Sequence, residues 1–281
     1  MNCSDMEIIK DIPTMRELRN HINDVGCVMT MGAIHEGHMS LIEQAVSEND
    51  YTVATIFVNP LQFSDESDLA TYPRTLESDL QKMNESGVKA VFIPNAREMY
   101  SETLKTRISF PGLSDIFEGI DRPGHFDGVG MVVTKLLNII MPDRSYFGTK
   151  DYQQLAIIKT LVNDLNVPTE IVSCPTIRTK DGLAVSSRNS LLSDGARDSA
   201  AKLYSALVEA SSKREEGQEL TEIVDGVIDR LEADPWVDKV HYFSFVSRTT
   251  LEIVTDNRQP CVLVVAATVG GIRLIDNLIL D

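Results

Sequence analysis

Two histidines three residues apart, His35 and His38, follow Met31-Gly32-Ala33-Ile34 and enclose Glu36-Gly37. On the first turn of a helix this spacing puts both imidazoles on one face. Gly32 and Gly37 let backbone approach backbone, or a ligand, with no Cβ in the way. Helix-start N–H groups, the helix dipole and two ring donors then converge on one place, which suits a polyphosphate. Two other readings are a zinc pair and two surface histidines. Zinc needs a third ligand, and the nearest other histidine, His21, falls on the far side of the preceding strand.

Further along, Asn59 and Gln62 in Asn59-Pro-Leu-Gln62-Phe63 follow a buried strand, where open parallel sheets bind ligands. Their amides donate and accept, which fits the hydroxyl and carboxylate of a small acid, although a polar turn would look the same. Asp79 lies one helical turn after Tyr72-Pro-Arg-Thr. Its carboxylate suits Mg²⁺ or simply the helix dipole. Gly148-Thr149-Lys150-Asp151-Tyr-Gln153-Gln154 repeats the logic of the first stretch, with Lys150 as a point charge for phosphate or as a solvated surface lysine. In Pro175-Thr-Ile177-Arg-Thr-Lys-Asp-Gly-Leu-Ala-Val185-Ser186-Ser187-Arg188-Asn, two hydroxyls and a guanidinium match phosphate recognition, or else form a Ser-rich hinge.

These residues need elements to hold them. Val25–Thr30, Tyr51–Val58 and Val88–Ile93 read as buried strands, and Ser145–Phe147 and Thr169–Cys174 as two more. Helices are expected over 14–23 (Thr14 as N-cap, Glu17 three later), His38–Asn49, Leu76–Ser86 (ended by Gly87), Val132–Ile140 and from Asp151 to Val162. Alternation at this spacing means βαβ units and a parallel sheet. Gly128-Val-Gly130 lacks the third glycine of a dinucleotide fingerprint. Beyond Arg178 the texture changes. Helices at Ser193–Arg214 and Leu220–Leu231 precede strands at Lys239–Val246, Leu251–Val254, Cys261–Val269 and Arg273–Leu280. The expected architecture is α/β: a Rossmann-like parallel-sheet domain, 1–176, then a smaller α+β C-terminal domain, 177–281, with Pro175 as hinge.

With 281 residues, 43% of them hydrophobic and 24% charged, the chain has the composition of an ordinary globular protein with a sizeable core. A net charge of -16 repels nucleic acid, so an RNA-binding module is disfavoured. Cys3, Cys27, Cys174 and Cys261 form no CxxC, and three lie in or beside apolar segments, as reduced thiols of a cytoplasmic protein would. The N-terminus lacks a basic start followed by an apolar run, so no signal peptide is expected. No run of apolar residues is long enough to span a membrane.

The His-x-Gly-His after Thr-Met-Gly resembles the signature of the nucleotidyltransferase superfamily. Ser186-Ser187-Arg188 resembles its KMSKS-type loop, with arginine in place of lysine. Five blocks in one order, TMGAIHEGHMSLI, FVNPLQF, YPRT, FGTKDYQQL and PTIRTKDGLAVSSRN, resemble the pantoate–β-alanine ligase family from about residue 25 to 192. The resemblance implies ATP along Met31, Gly32, Ala33, Ile34, His35, Glu36, Gly37 and His38. ATP would also meet Gly148, Thr149, Lys150, Asp151, Ile177, Val185, Ser186, Ser187 and Arg188. His38 would be the catalytic histidine and His35 its phosphate partner, with Lys150 also acting on phosphate. Gln62 and Gln154 would hold (R)-pantoate, Gln62 would also approach β-alanine, and Asn59 would assist. Thr149 stands where many members carry glutamate, and Val185 where Met or Leu is common. Ser78 precedes Asp79 where members often have a second acid, which bears on the Mg²⁺ ligand. The implied reaction forms pantothenate through a pantoyl-adenylate in a cytoplasmic homodimer. The rivals are an adenylyl- or cytidylyltransferase that stops at nucleotide transfer, and a nucleotide-binding regulator without catalysis. The first leaves Gln62 with Gln154 unexplained, and the second has no reason to keep His35, His38, Lys150 and Arg188.

Overall fold

The computed structural model describes residues 6–63, 66–100 and 104–281, so Cys3 lies outside the described residues. The chain divides into two compact units, Met1–Gly148 with Ile157–Cys174, and Thr149–Ala156 with Pro175–Asp281. The segment 149–156, which the sequence groups with the first domain, belongs by its packing to the second unit.

The first unit contains β1 (Glu7–Ile9), α1 (Ile12–Arg19), β2 (Val25–Thr30), α2 (Glu36–Glu48), β3 (Tyr51–Ile56), α3 (Glu66–Thr71) and α4 (Leu76–Glu85). It continues with β4 (Ala90–Phe92), α5 (Ala96–Met99), α6 (Glu118–Asp121), α7 (His125–Ile140), β5 (Arg144–Gly148), the later part of α8 (Tyr152–Asp164) and β6 (Glu170–Cys174). The strands are parallel, in the order β1-β4-β3-β2-β5-β6. The inner strands β2, β3 and β4 are buried on both faces, hence their unbroken apolar runs. Strand order reverses between β2 and β5, where the ladder pairs only Gly26 with Arg144 and Cys27 with Ser145. Val28–Thr30 and Tyr146–Gly148 therefore continue without pairing to each other, which opens the crevice expected at a switch point. Val28, Ile34, Ile42, Ala54, Met83 and Tyr146 share one buried cluster on the α2 and α4 side of this sheet.

In the second unit α9 (Asp194–Glu215) and α10 (Leu220–Glu232) cover an antiparallel sheet, β7 (Val237–Ser247), β8 (Cys261–Val269) and β9 (Ile272–Leu280). Leu207, Ile223 and Val227 pack there with Phe243, Phe245 and Val265. No described helix is long and apolar enough to cross a membrane.

Several boundaries differ from the sequence reading for local reasons. Helix α1 begins at Ile12 because Asp11, not Thr14, is its N-cap, accepting the Thr14 N–H at 2.9 Å, and Pro13 fits the first turn. Helix α7 starts at His125, seven residues before the expected apolar run, and takes Gly128 and Gly130 into its body. Leu251–Val254 forms no strand: only an isolated bridge joins Ile253 to Val246. Helix α2 starts at Glu36 rather than His38, and this shift governs the site.

Candidate functional site

Because α2 starts at Glu36, His35 is its N-cap and His38 its third residue. His35 Nδ1 accepts the Gly37 N–H at 3.1 Å, and His38 Nδ1 accepts the His35 N–H at 3.5 Å. A ring nitrogen that accepts carries no proton, so this network puts the proton of each neutral imidazole on Nε2. The rings stack with centroids 4.0 Å apart and planes 23° apart. The cap thus makes two Nε2–H donors from one helix start.

The turn before them is braced from behind. Gly32 has φ +84°, and Ala33 adopts φ +51° despite its Cβ. Asp79 on α4, 1% exposed, accepts the Ala33 N–H at 2.9 Å through Oδ2, and the Ile34 N–H at 2.8 Å and the Thr75 hydroxyl at 3.0 Å through Oδ1. One turn further on, Lys82 Nζ donates to the Ile34 carbonyl at 2.6 Å. Both carboxylate oxygens are thus committed to the turn in a buried setting. Asp79, for which the sequence offers Mg²⁺ or the helix dipole, here accepts two N–H groups of the turn that carries left-handed Ala33. The Gly32 N–H is also taken, by Thr30 Oγ1 at 3.1 Å. The amides of residues 32–35 and 37 therefore serve the turn itself, and its capacity for phosphate rests on the imidazole edges and the α2 dipole.

Asn59 and Gln62 sit at the carboxyl end of β3, on the 3₁₀ turn Pro60–Gln62. Asn59, 1% exposed, is fully engaged. Its Nδ2 donates to Gln62 Oε1 and to the Gly128 carbonyl, each at 3.1 Å, and its Oδ1 accepts from Leu61 N and from the Tyr100 hydroxyl at 2.9 Å. Asn59 thereby holds the Gln62 amide from a buried position. Gln62 Nε2 donates to Met31 Sδ at 3.0 Å. Gly128 makes the approach possible, since a Cβ there would lie 2.2 Å from the Leu61 carbonyl. His125, 7% exposed, donates from Nδ1 to the Gln62 carbonyl at 2.8 Å while Arg122 NH1 donates to its Nε2 at 3.1 Å. Burial raises the pKa of the Tyr100 hydroxyl, which keeps it a donor. Tyr100, Lys82, Arg122 and His125 escaped the sequence reading. The i, i+3 spacings Asp79/Lys82 and Arg122/His125 were the available signals.

The other site residues belong to the second unit. Lys150 lies in the 3₁₀ turn Thr149–Asp151, its Nζ 3.8 Å from Asp151 Oδ1. The Thr149 hydroxyl lies 3.1 Å from that of Thr176. Gln153 is buried and Gln154 half-buried at the start of α8. Ile177 to Val185 is a tight hairpin: the Val185 N–H donates to the Ile177 carbonyl at 2.9 Å, and Arg178 bridges Ala184. Ser186 then caps the 3₁₀ turn Ser187–Leu191, its hydroxyl accepting the Arg188 N–H at 3.3 Å, while Ser187 and Arg188 are exposed. Among the described residues no group of three or more His, Cys, Asp or Glu side chains is placed to hold a metal.

A doubly wound parallel sheet with a His-x-Gly-His turn beside its switch point defines the class: a nucleotide-binding enzyme of the nucleotidyltransferase type. Comparison with known proteins gives the family. The family model for pantoate–β-alanine ligase matches residues 7–279. The pantothenate synthetase of Caldicellulosiruptor bescii is 42% identical over 280 residues, covering 98% of this chain and 99% of that protein. The crystal structure of pantothenate synthetase from Thermus thermophilus superposes with a TM-score of 0.90 at 40% identity, covering 97% of this chain and 99% of that one. A Francisella tularensis pantoate–β-alanine ligase, solved in complex with β-γ ATP and β-alanine, has a TM-score of 0.81 at 35% identity, with 98% and 97% covered. The chain belongs to the pantoate–β-alanine ligase family, and its reaction is the ATP-dependent ligation of pantoate to β-alanine.

Proposed function

We propose that the first unit aligns the reacting groups and the second supplies the positive charge. ATP lies along Met31–His38 and meets Gly148–Asp151, Ile177 and Val185–Arg188. Gln62 and Gln154 hold (R)-pantoate, and Gln62 also approaches β-alanine. The pantoate carboxylate is ionised at pH 7, its pKa being near 3.5 by analogy with an α-carboxyl. Its attack on the α-phosphorus therefore needs no general base, only in-line placement and neutralised charge. One carboxylate oxygen bonds to the α-phosphorus as the bond to the bridging oxygen breaks, and pyrophosphate leaves with the electron pair. The β-alanine amine then bonds to the activated carbonyl carbon and loses a proton, and AMP leaves.

His38 and His35 donate Nε2–H to phosphate oxygens that gain charge in the first step. Lys150, Ser186, Ser187 and Arg188 act on the remaining phosphate charge. Mg²⁺ bound with ATP would neutralise charge on the triphosphate as pyrophosphate leaves. A cytoplasmic homodimer completes the reading, and sedimentation at two concentrations checks the assembly: a concentration-independent monomer mass contradicts it.

The observation that carries this reading is the stacked imidazole pair with both Nδ1 atoms held by backbone amides. A coupled assay for AMP with ATP, Mg²⁺ and pantoate, with and without β-alanine, tests it. AMP release that depends on both acids is expected. Pyrophosphate release on pantoate alone, at a rate unchanged by β-alanine, would indicate an adenylyltransferase that stops halfway.

A further inference from the structure

Strand β9 of the second unit carries two adjacent buried polar residues, Asp276 and Asn277, each 5% exposed. A strand facing an apolar core seldom buries a carboxylate next to a carboxamide unless both are fully partnered. Here each is partnered to a different segment. Asn277 Nδ2 donates to the carbonyls of Thr149 and Lys150, both at 2.8 Å. Asp276 forms a two-pronged pair with Arg178, Oδ2 to NH1 at 2.6 Å and Oδ1 to NH2 at 2.8 Å. Arg178 also donates to the Gly182 carbonyl and to the carbonyl of Asn277 itself, both at 3.1 Å, and its guanidinium stacks on the Tyr204 ring, 3.8 Å from the centroid. The two residues are coupled as well, since Asp276 Oδ1 accepts the Asn277 backbone N–H at 2.8 Å.

We propose that Asp276 and Asn277 are a positioning pair that sets, from one strand, both the Lys150 turn and the hairpin leading to Ser186–Arg188. The inference rests on the reading that Lys150 and Arg188 meet the phosphates of ATP. The pair touches no substrate. It acts through the backbone that presents Lys150 and through the base of the hairpin, 177–185. A carboxamide is required at 277 because it must give two N–H bonds to two carbonyls, which neither a hydroxyl nor a carboxylate can do. An arginine is required at 178 because only a fork binds both carboxylate oxygens while stacking on a ring.

The test is steady-state kinetics on the full chain, with KM for ATP and for β-alanine measured separately. Asn277→Ala should raise KM for ATP about tenfold, as for a loss of oriented hydrogen bonds, and leave KM for β-alanine within about twofold. A merely structural role would lower the active fraction, hence kcat, and leave both KM values alone. Arg178→Lys, which keeps the charge and loses the fork, should move KM for ATP in the same direction and decides the matter if Asn277→Ala does not fold. Lys150→Ala separates the two layers of the argument. If it raises KM for ATP while Asn277→Ala and Arg178→Lys do not, the positioning pair is overturned and the phosphate reading stands. If Lys150→Ala itself leaves KM for ATP unchanged, the phosphate reading fails and the pair falls with it.

Discussion

The turn at Met31–His38 and the loop at Ile177–Arg188 are built by opposite means. In the turn, the N–H groups of residues 32–35 and 37 are all bound, and helix α4 stands behind it with Asp79 and Lys82 on its peptide groups. In the loop the base is tied through Arg178 to Asp276, while Ser187 and Arg188 at its end are exposed, with Arg188 NH1 reaching the Arg273 carbonyl at 3.5 Å. The first design fixes the direction of two donors before any ligand arrives, which lowers the reorganisation needed at the moment of reaction. The second fixes where a charge is anchored and holds the exposed charge itself by one long bond to a carbonyl, which suits a group that must follow its ligand. Preorganisation here has two sources: Thr30, His35 and His38 take three of these N–H groups from within the stretch, and Asp79 on α4 takes the other two.

If that contrast is real, damage on the two sides should look different. The largest effect is expected on the rigid side. His38→Ala removes one of the two donors and should cut kcat by about 10²-fold or more, the size of losing one preorganised donor. Steady-state AMP release measures it, and near-normal turnover would take His38 out of the mechanism. Asp79→Ala comes next. It strands two N–H groups of a turn with a left-handed alanine, so a loss of about 2–3 kcal/mol in stability is expected alongside reduced turnover. A thermal melt that does not move would show that the turn holds itself without α4. On the exposed side, Arg188→Ala should leave the melt where it is and raise KM for ATP about tenfold, the scale of one charge-assisted contact. A lowered melting temperature there would erase the contrast.

The smallest effect concerns the sheet that supports the turn. Burial pushes the Cys174 thiol from 9.0 up to about 11 and the Tyr146 hydroxyl from 10.0 up to about 12, and it also raises the thiol of Cys27 on β2. Groups whose folded pKa is raised contribute stability that is whole below the unfolded value and is lost as pH climbs toward the folded one. Melting temperature should therefore stay level up to about pH 8.5 and decline beyond 9, the ordinary thiol range. A melt that rises between pH 9 and 11 would contradict the burial of these groups.

Much of this was legible in the sequence, and unevenly so. Apolar runs located β2 and β8 residue for residue, because strands covered on both faces leave little else to read. The proposal that His35, His38, Lys150 and Arg188 act on phosphate rests on residue type beside glycine and helix starts. The true start of α2 did not, because histidine is not among the usual N-cap residues and its role depends on a ring nitrogen accepting from Gly37. Thr14 with Glu17 looked like a capping box, and the Asp11-Ile-Pro13 start outweighed it. The roles of Asp79 and Asn59 were illegible for a different reason. Each is decided by partners far along the chain, Ala33 and Ile34 for one, Tyr100 and Gly128 for the other, and no local pattern reports them.

The most direct test of the central claim, attack by the pantoate carboxylate on the α-phosphorus, is isotope transfer. Pantoate labelled with ¹⁸O in its carboxylate is turned over with ATP and β-alanine, and the products are weighed by mass spectrometry. The account predicts one ¹⁸O in the phosphate of AMP and none in pyrophosphate. Label found in pyrophosphate or free phosphate, with AMP unlabelled, would contradict it.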